Sequence, residues 1–424
     1  MLNWIYTMNE PYDVIIIGAG LAGLRAAHEL EKFELKALVI DQSDRAGGRV
    51  KTDEIDGFLL DRGFQVYLDA YPEGREVLDY DQLSLKPFQP GALCFNKHQK
   101  FRVSDTSRKK TALPRMALSP IGNFMDKIRL GNLSARLKRS GIEEIFERPN
   151  LSSYEVPESN CALVIKIIQR FFQPFFAGIF LEQDLKTSSR MFEFIFKMMA
   201  EGNVSLPAFG MEQIPRSMKN ALRTTEFRFH TEVKEIRQNE VVLEGQENLS
   251  CKHIIVATAP DQLIPQLASD VDWHQSATYY FAADKSVLNK NLIALNYAKK
   301  RLVNNFTILT DTSEHYAPKG EHLVSVSLSQ LPHESVEETS RLIKNELSYS
   351  FGPSVQNWRF IKNYHLSHAL PVLSNLKNQL SISETQVKEG LYLAGDQLLN
   401  GSINGALKSG KLAAQEAILQ YRSE

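Results

Sequence analysis

Cysteine is scarce in this sequence. Cys94, Cys161 and Cys251 are spread through 424 positions, too far apart for metal-ligand spacing or a disulfide framework. Thiols kept reduced fit this usage better than an oxidised extracellular scaffold. Histidines, cysteines and carboxylates nowhere share a metal-binding or nucleophile spacing, so no metal is expected and no catalytic side chain is assigned. Net charge is small as well. The 49 basic and 50 acidic residues leave −1, which removes the broad positive field that nucleic-acid binding needs. A long uninterrupted apolar run is also missing. The most apolar stretch, LVIKIIQRFFQPFFAGIFL at 163–181, carries Lys166, Gln169, Arg170, Gln173 and Pro174. Their desolvation makes it a poor membrane span. The opening MLNWIYTMNE has no basic start, long apolar segment or small-residue cleavage site. A cytoplasmic protein is expected, starting at Met1 or Met8.

What is present points to more than one domain. A chain of 424 residues exceeds a single simple core, and 43% hydrophobic with 23% charged residues is ordinary for a globular protein. Residues 12–42, YDVIIIGAGLAGLRAAHELEKFELKALVIDQ, carry the strongest signal. Val14 to Ile17 form a continuous apolar run, as a parallel strand buried on both faces requires. Gly18, Gly20 and Gly23 follow in G-x-G-x-x-G spacing and open a helix through Leu21 and Ala22, with Leu24, Ala27 and Leu30 on its apolar face. A second strand, Ala37 to Ile40, ends at Asp41 and Gln42. The first glycine permits a tight turn, the second admits a pyrophosphate to the backbone, and the third allows close helix–strand packing. Free N–H groups at the helix start receive phosphate, and the acidic residue accepts from ribose hydroxyls.

The next blocks read QSDRAGGRVKT and GFLLDRGFQVY, with Gly47-Gly48-Arg49 and Asp61-Arg62-Gly63. Here the sequence resembles the FAD-dependent superfamily that includes amine oxidases, phytoene desaturases and protoporphyrinogen oxidase. The resemblance implies that Gly48 and Arg49 lie against the FAD pyrophosphate, with Gly63 in the same contact set. Relatives often carry Glu at the position of Asp41 and Arg at that of Ser43, so the adenosine end departs from the pattern. The C-terminal YLAGDQLLNGSINGALKSG, 392–410, resembles the family's closing strand, G-D turn and helix. That implies ribityl contacts from Gly395 and Asp396, and flavin-ring contacts from the backbone of Ser402, Ile403 and Asn404. A helix N-terminus there would stabilise negative charge on reduced flavin. Ala406, Gly410, Ala413 and Ala417 share one helix face, where small side chains permit close approach to the glycine-rich N-terminal unit. LPAFGMEQIPRSMKNAL at 206–222 and CKHIIVATAP at 251–260 resemble further family segments, and the backbone of Val233 is implied in adenine pairing. With no cysteine near the C-terminal turn, the FAD is expected to be non-covalent.

The fold expected is α/β: a discontinuous Rossmann-like FAD-binding domain with a second, α+β substrate domain. The first takes 1–79, 204–262 and 381–424; the second takes 80–203 and 263–380. Residues 100–139 hold eleven Lys or Arg against Asp105 and Asp126. This is a solvated basic face, or a surface for an anionic substrate, a partner or a peripheral membrane contact. RFFQPFFAGIFL at 170–181 is either core or the lining of a lipophilic channel that also touches a membrane. Tyr364 or His365 is placed to face the flavin ring by resemblance. The lysine and paired aromatics of many amine oxidases have no match, which ranks carbon–carbon desaturation above amine oxidation. The expected activity is hydride removal from a hydrophobic small molecule, isoprenoid or polycyclic. The alternatives are an amine oxidase and a non-catalytic prenyl- or lipid-binding protein.

Overall fold

The structure is a computed structural model that describes residues 12–104, 120, 124–153, 167–245, 247–260, 263–264 and 272–424. The chain divides into two compact units. The first comprises Met1–Gly48, Pro215–Asp270 and Gln379–Glu424; the second comprises Arg49–Ile214 and Val271–Asn378. The sequence reading kept residues up to 79 with the cofactor half, whereas the compact units separate at Gly48 and Arg49. The reason is visible in the hairpin Thr52–Ile55 and Phe58–Asp61 and the segment after it. Asp61 and Phe64 are hydrogen-bonded to Tyr316, Tyr280 and Thr278 of the second unit.

The first unit is built on an eight-stranded sheet. Its five central strands run parallel in the order Glu226–Arg228, Ala37–Ile40, Tyr12–Ile17, Asn248–Val256 and Leu391–Leu393. Val14, Ile15 and Ile16 are fully buried, as a parallel strand covered on both faces should be. Glu240–Leu243 and Val233–Arg237 extend the sheet as an antiparallel meander. The helix Leu21–Glu31 packs against the C-terminal helix Ile403–Ser423. The small-residue face explains how: a Cβ on Gly410 would lie 2.0 Å from the carbonyl oxygen of Ala22, and Ala413 and Ala417 are fully buried. Helix meets helix almost backbone to backbone.

The second unit holds a seven-stranded sheet, Arg359–Val372, Asp272–Ala283, His322–Leu328, Val303–Ile308, Ile293–Asn296, Gly91–Phe95 and Lys100–Ser104. Its pairs are antiparallel except Ile293–Asn296 with Gly91–Phe95. Alternation buries Ala277, Tyr279, Phe281 and Ala283 against the helix Val336–Phe351, whose Ile343 and Leu347 share their core. In the phenylalanine-rich stretch a π-helical turn, Ile168–Phe172, runs into the helix Gln173–Phe180. Pro174 falls just after that π-helical turn, within a continuous run of helical backbone. Phe172, Phe176, Phe180 and Phe192 are buried core, while Phe171, Phe175 and Phe196 stay half-buried. The basic stretch lies partly outside the described residues. Its helix Phe124–Arg139 exposes Arg136, Lys138 and Arg139, with Arg136 paired to Glu193 at 3.1 Å. No helix among the described residues is long and apolar enough to cross a membrane.

Gly410→Val is expected to force the two helices of the first unit apart, because the obstacle is main chain rather than a movable side chain. The expected cost is about 3 kcal/mol, the upper end for overpacking, read as a lower thermal midpoint. An unchanged midpoint would contradict the backbone contact.

Candidate functional site

The parallel strand Tyr12–Ile17 delivers Gly18 to the edge of the sheet, where its N–H donates to Ile40 at 2.8 Å and its φ is +108°. Gly20 is the extended residue before the helix, and a Cβ on Gly23 would fall 2.0 Å from the Gly18 carbonyl oxygen. Leu21 and Ala22 form the first buried helical turn, which contains no acidic residue. The positive end of that helix is therefore not neutralised from within its own first turn. A second glycine turn is held against the first. Gly47 N–H donates to the Ala19 carbonyl at 2.9 Å, and Gly48, at φ +58°, faces Gly20 so closely that a Cβ would sit 3.1 Å from the Gly20 α-carbon. Two stretches of bare main chain thus meet with Gly48 still exposed.

Asp41 closes this arrangement from the neighbouring strand. Its Oδ2 accepts from the Ala19 N–H at 2.7 Å, and its Oδ1 accepts from the N–H of Ser43 at 2.8 Å and from the Ser43 hydroxyl. Ser43, the departure noted in the sequence, is used to orient the acidic residue. Three donors on a carboxylate leave lone-pair capacity for one more. Gln42 is exposed beside it, and Val233 begins the strand Val233–Arg237, half-buried and paired with Leu243 just before a bulge.

The C-terminal turn belongs to the same unit. Gly395 N–H donates to Ser409 Oγ at 2.8 Å, and Asp396 is 3% exposed. Ser402 caps the last helix by accepting from Gly405 N–H at 2.9 Å, and Ile403 and Asn404 form a first turn that again lacks acidic residues. Gln397, which the sequence reading missed, folds its amide back over Gly395. Its oxygen and nitrogen come within 2.0 and 2.4 Å of where a Gly395 Cβ would stand. Among the described residues the buried Gln397 Nε2 has no hydrogen-bond partner. An unpaired buried donor costs roughly 1–3 kcal/mol, so this atom has capacity for an acceptor that the described residues do not supply. Glycine-lined main chain, two helix starts free of acidic residues and an orphaned amide together fit a dinucleotide such as FAD.

Two of the expected contacts lie in the second unit. Arg49 is exposed, donates from Nη1 to the Ala369 carbonyl at 3.0 Å and lies 5.4 Å over the Trp273 ring. Gly63 turns at φ +86° beside Leu366. Tyr364 and His365 point to opposite faces of their strand: the Tyr364 hydroxyl donates to Asp53 at 2.8 Å, while exposed His365 lies 6.2 Å from the Tyr279 ring on the other face. Asp61, the acid of the D-x-G block, is fully enclosed. Thr52 Oγ1 at 2.6 Å, Met211 N–H at 2.8 Å and Tyr316 at 3.0 Å all donate to it. Burial nevertheless raises its pKa to about 6, against the lowering effect of those donors. Among the described residues no group of three His, Cys, Asp or Glu could hold a metal ion.

Comparison with known proteins agrees with this geometry. Residues 21–418 match the model of the flavin-containing amine oxidoreductases. The L-amino acid oxidase Bs29 of Bothriechis schlegelii is 26% identical over 285 residues, covering 60% of this chain and 54% of that protein. The chain spans 54% of the length of that oxidase, and 7% of that of a possible lysine-specific histone demethylase 1 of Drosophila melanogaster. Among solved structures, a putrescine oxidase bound to putrescine superposes with TM-score 0.71 at 17% identity, over 96% of this chain and 99% of that one. An oxidoreductase from Methanosarcina mazei gives TM-score 0.73 at 15% identity, over 95% and 99%. At such identities these two likenesses establish the fold.

The Asp61 carboxyl sets a pH dependence. Its folded pKa exceeds the ordinary value, so the native state holds a proton that the unfolded chain gives up. Stability from this group is full below about pH 4 and is lost as pH rises through about 6. The expected loss is about 3 kcal/mol. In urea titrations at pH 4, 5, 6 and 7, Asp61→Asn should remove this fall; parallel curves for variant and parent would contradict it.

Proposed function

Since the chain belongs to the family of flavin-containing amine oxidoreductases, we propose that it is an FAD-dependent oxidoreductase acting on a carbon–hydrogen bond of an organic small molecule. The carrying observation is the bare main-chain cradle of Gly18, Gly20 and Gly48, locked by Asp41 through the Ala19 N–H. In this reading Gly20 and Gly48 admit the pyrophosphate, and the helix start at Leu21 and Ala22 donates to it. Asp41 and Gln42 hold the adenosine ribose, and Val233 the adenine. Gly395 and Asp396 hold the ribityl chain, and the helix start at Ser402, Ile403 and Asn404 faces the ring. Arg49 and Gly63 of the second unit are further candidates for FAD contact by family resemblance. Bound FAD supplies the hydride acceptor; the chain binds and orients it and shapes its electrostatic surroundings. No cysteine follows Cys251, which leaves no thioether link near the C-terminal turn and supports non-covalent attachment.

The second unit is the proposed substrate holder, and half-buried Phe171, Phe175 and Phe196 support a largely apolar substrate oxidised by dehydrogenation. Likeness to putrescine oxidase and to L-amino acid oxidases supports amine oxidation as a second reading. Exposed Arg136, Lys138 and Arg139 support peripheral contact of a cytoplasmic protein with an anionic membrane.

Gln397→Leu removes the orphaned donor, and FAD affinity measured by flavin fluorescence is expected to fall about fivefold to tenfold; unchanged affinity means the amide faces elsewhere. The substrate reading is checked by anaerobic loss of visible flavin absorbance. Bleaching by an uncharged cyclic substrate, with none by putrescine or L-leucine, is expected. Bleaching by either amine moves the assignment to amine oxidation.

A further inference from the structure

The sheet of the second unit has a face that its core does not use. Ala277, Tyr279, Val326 and Phe306 point into the core shared with the helix Val336–Phe351. Alternation therefore sends Thr278, Ser327 and Asn305 to the opposite face. Strand register places them side by side: Tyr364 opposite Thr278, Thr278 opposite Ser327, and Ser327 opposite Asn305. Four adjacent strands thus carry one straight row of hydroxyl and amide groups. With neighbouring strands about 4.8 Å apart, Thr278 to Asn305 spans about 10 Å.

The two ends of the row are covered and buried, and its middle is half-buried. Phe64 N–H donates to Thr278 Oγ1 at 3.3 Å. At the other end Gly178, in the helix Gln173–Phe180, lies over Asn305, where a Cβ would stand only 2.7 Å from Asn305 Nδ2. Ser327, between them, is half-buried although it lies in an interior strand. In the next row along, Tyr280 donates to the Asp61 carbonyl at 2.7 Å and Thr307 to the Leu292 carbonyl at 3.0 Å, while the buried Ser325 hydroxyl between them has no partner among the described residues. In the row of Thr278, neither the Ser327 hydroxyl nor the Asn305 amide forms a hydrogen bond among the described residues, and the Thr278 hydroxyl proton has no acceptor there. Asn304 shows what a structural amide at this place does: it donates to the Pro174 carbonyl at 3.1 Å and accepts from Arg301 at 3.2 Å.

The row also carries no formal charge. Asp53, which accepts from Tyr364 at the edge of the row, is held by both Arg62 nitrogens at 3.0 Å, and Lys362 sits one row along, 5.4 Å from the Tyr364 ring. A cation placed over Thr278, Ser327 and Asn305 would lose its hydration without gaining a counter-charge. A hydrocarbon there would leave buried donors unpaired, at a cost comparable to a lost hydrogen bond for each. A neutral group that both donates and accepts meets neither penalty.

We propose that Thr278, Ser327 and Asn305 form the floor of a binding site for an uncharged hydrogen-bonding group, such as an amide, carbonyl or hydroxyl, carried on an apolar body. This rests on the reading that the second unit takes the substrate, and it narrows that substrate to a polar-tagged neutral molecule. Three probes of similar shape separate the possibilities: benzamide, toluene and benzylammonium, titrated into the full chain by ligand-observed NMR. Benzamide is expected to bind at least about tenfold more tightly than either of the others. Ser327→Ala and Asn305→Ala should each weaken it about fivefold, with thermal midpoint and FAD absorbance unchanged. Equal or tighter binding of toluene or benzylammonium, benzamide affinity unmoved by both substitutions, or no benzamide binding would each overturn the proposal. The titration needs no flavin. A protein that binds benzamide through these residues but takes up no FAD would therefore sink the oxidoreductase reading and leave the row standing.

Discussion

The first unit depends on main chain meeting main chain with no side chain between. Gly23 sits against the Gly18 carbonyl, Gly410 against that of Ala22, and Gly48 against Gly20. Each contact brings a helix or a turn closer to its neighbour than a Cβ would allow. What this leaves at the sheet's edge is polar backbone and the start of a helix, which together favour an anion. Asp41 then fixes the geometry by accepting from Ala19, a bond that ties the glycine loop to the end of the next strand. Packing and cofactor capacity arise here from one constraint.

The second unit solves a different problem. Its mixed sheet places large apolar side chains on one face, where Phe95, Phe281, Phe306 and Trp358 pack with the covering helix. That frees the other face for polar groups held at fixed spacing by strand register. Loops do not offer this precision, because neighbouring strands hold each other in place through the hydrogen-bonded ladder.

Legibility in the sequence followed the range of the interactions. The glycine spacing, the strand before it and Asp41 are local, and they were readable because their contacts, Gly23 with Gly18 and Asp41 with Ala19, close within a few dozen positions. The small-residue face of the last helix was also readable, since Ala406, Gly410, Ala413 and Ala417 have few other reasons to align. The phenylalanine stretch was ambiguous: alternating burial within one helix makes Phe172 and Phe176 core and leaves Phe171 and Phe175 half-exposed. The break at Gly48 was not readable, because it is decided by bonds from Asp61 and Phe64 to strands more than two hundred positions away. For the same reason the row of Thr278, Ser327 and Asn305 is invisible in one dimension; only strand pairing makes neighbours of them. Gln397 carried a weak signal, standing directly after Gly395-Asp396, but an amide there has no local pattern to mark it.

The central claim is that the glycine-lined unit holds FAD without a covalent bond. The most direct measurement is the visible absorption spectrum of the purified protein, repeated on the supernatant after denaturation. A flavin spectrum that passes into the supernatant as FAD is the result this account predicts. A colourless protein that also refuses added FAD would contradict it.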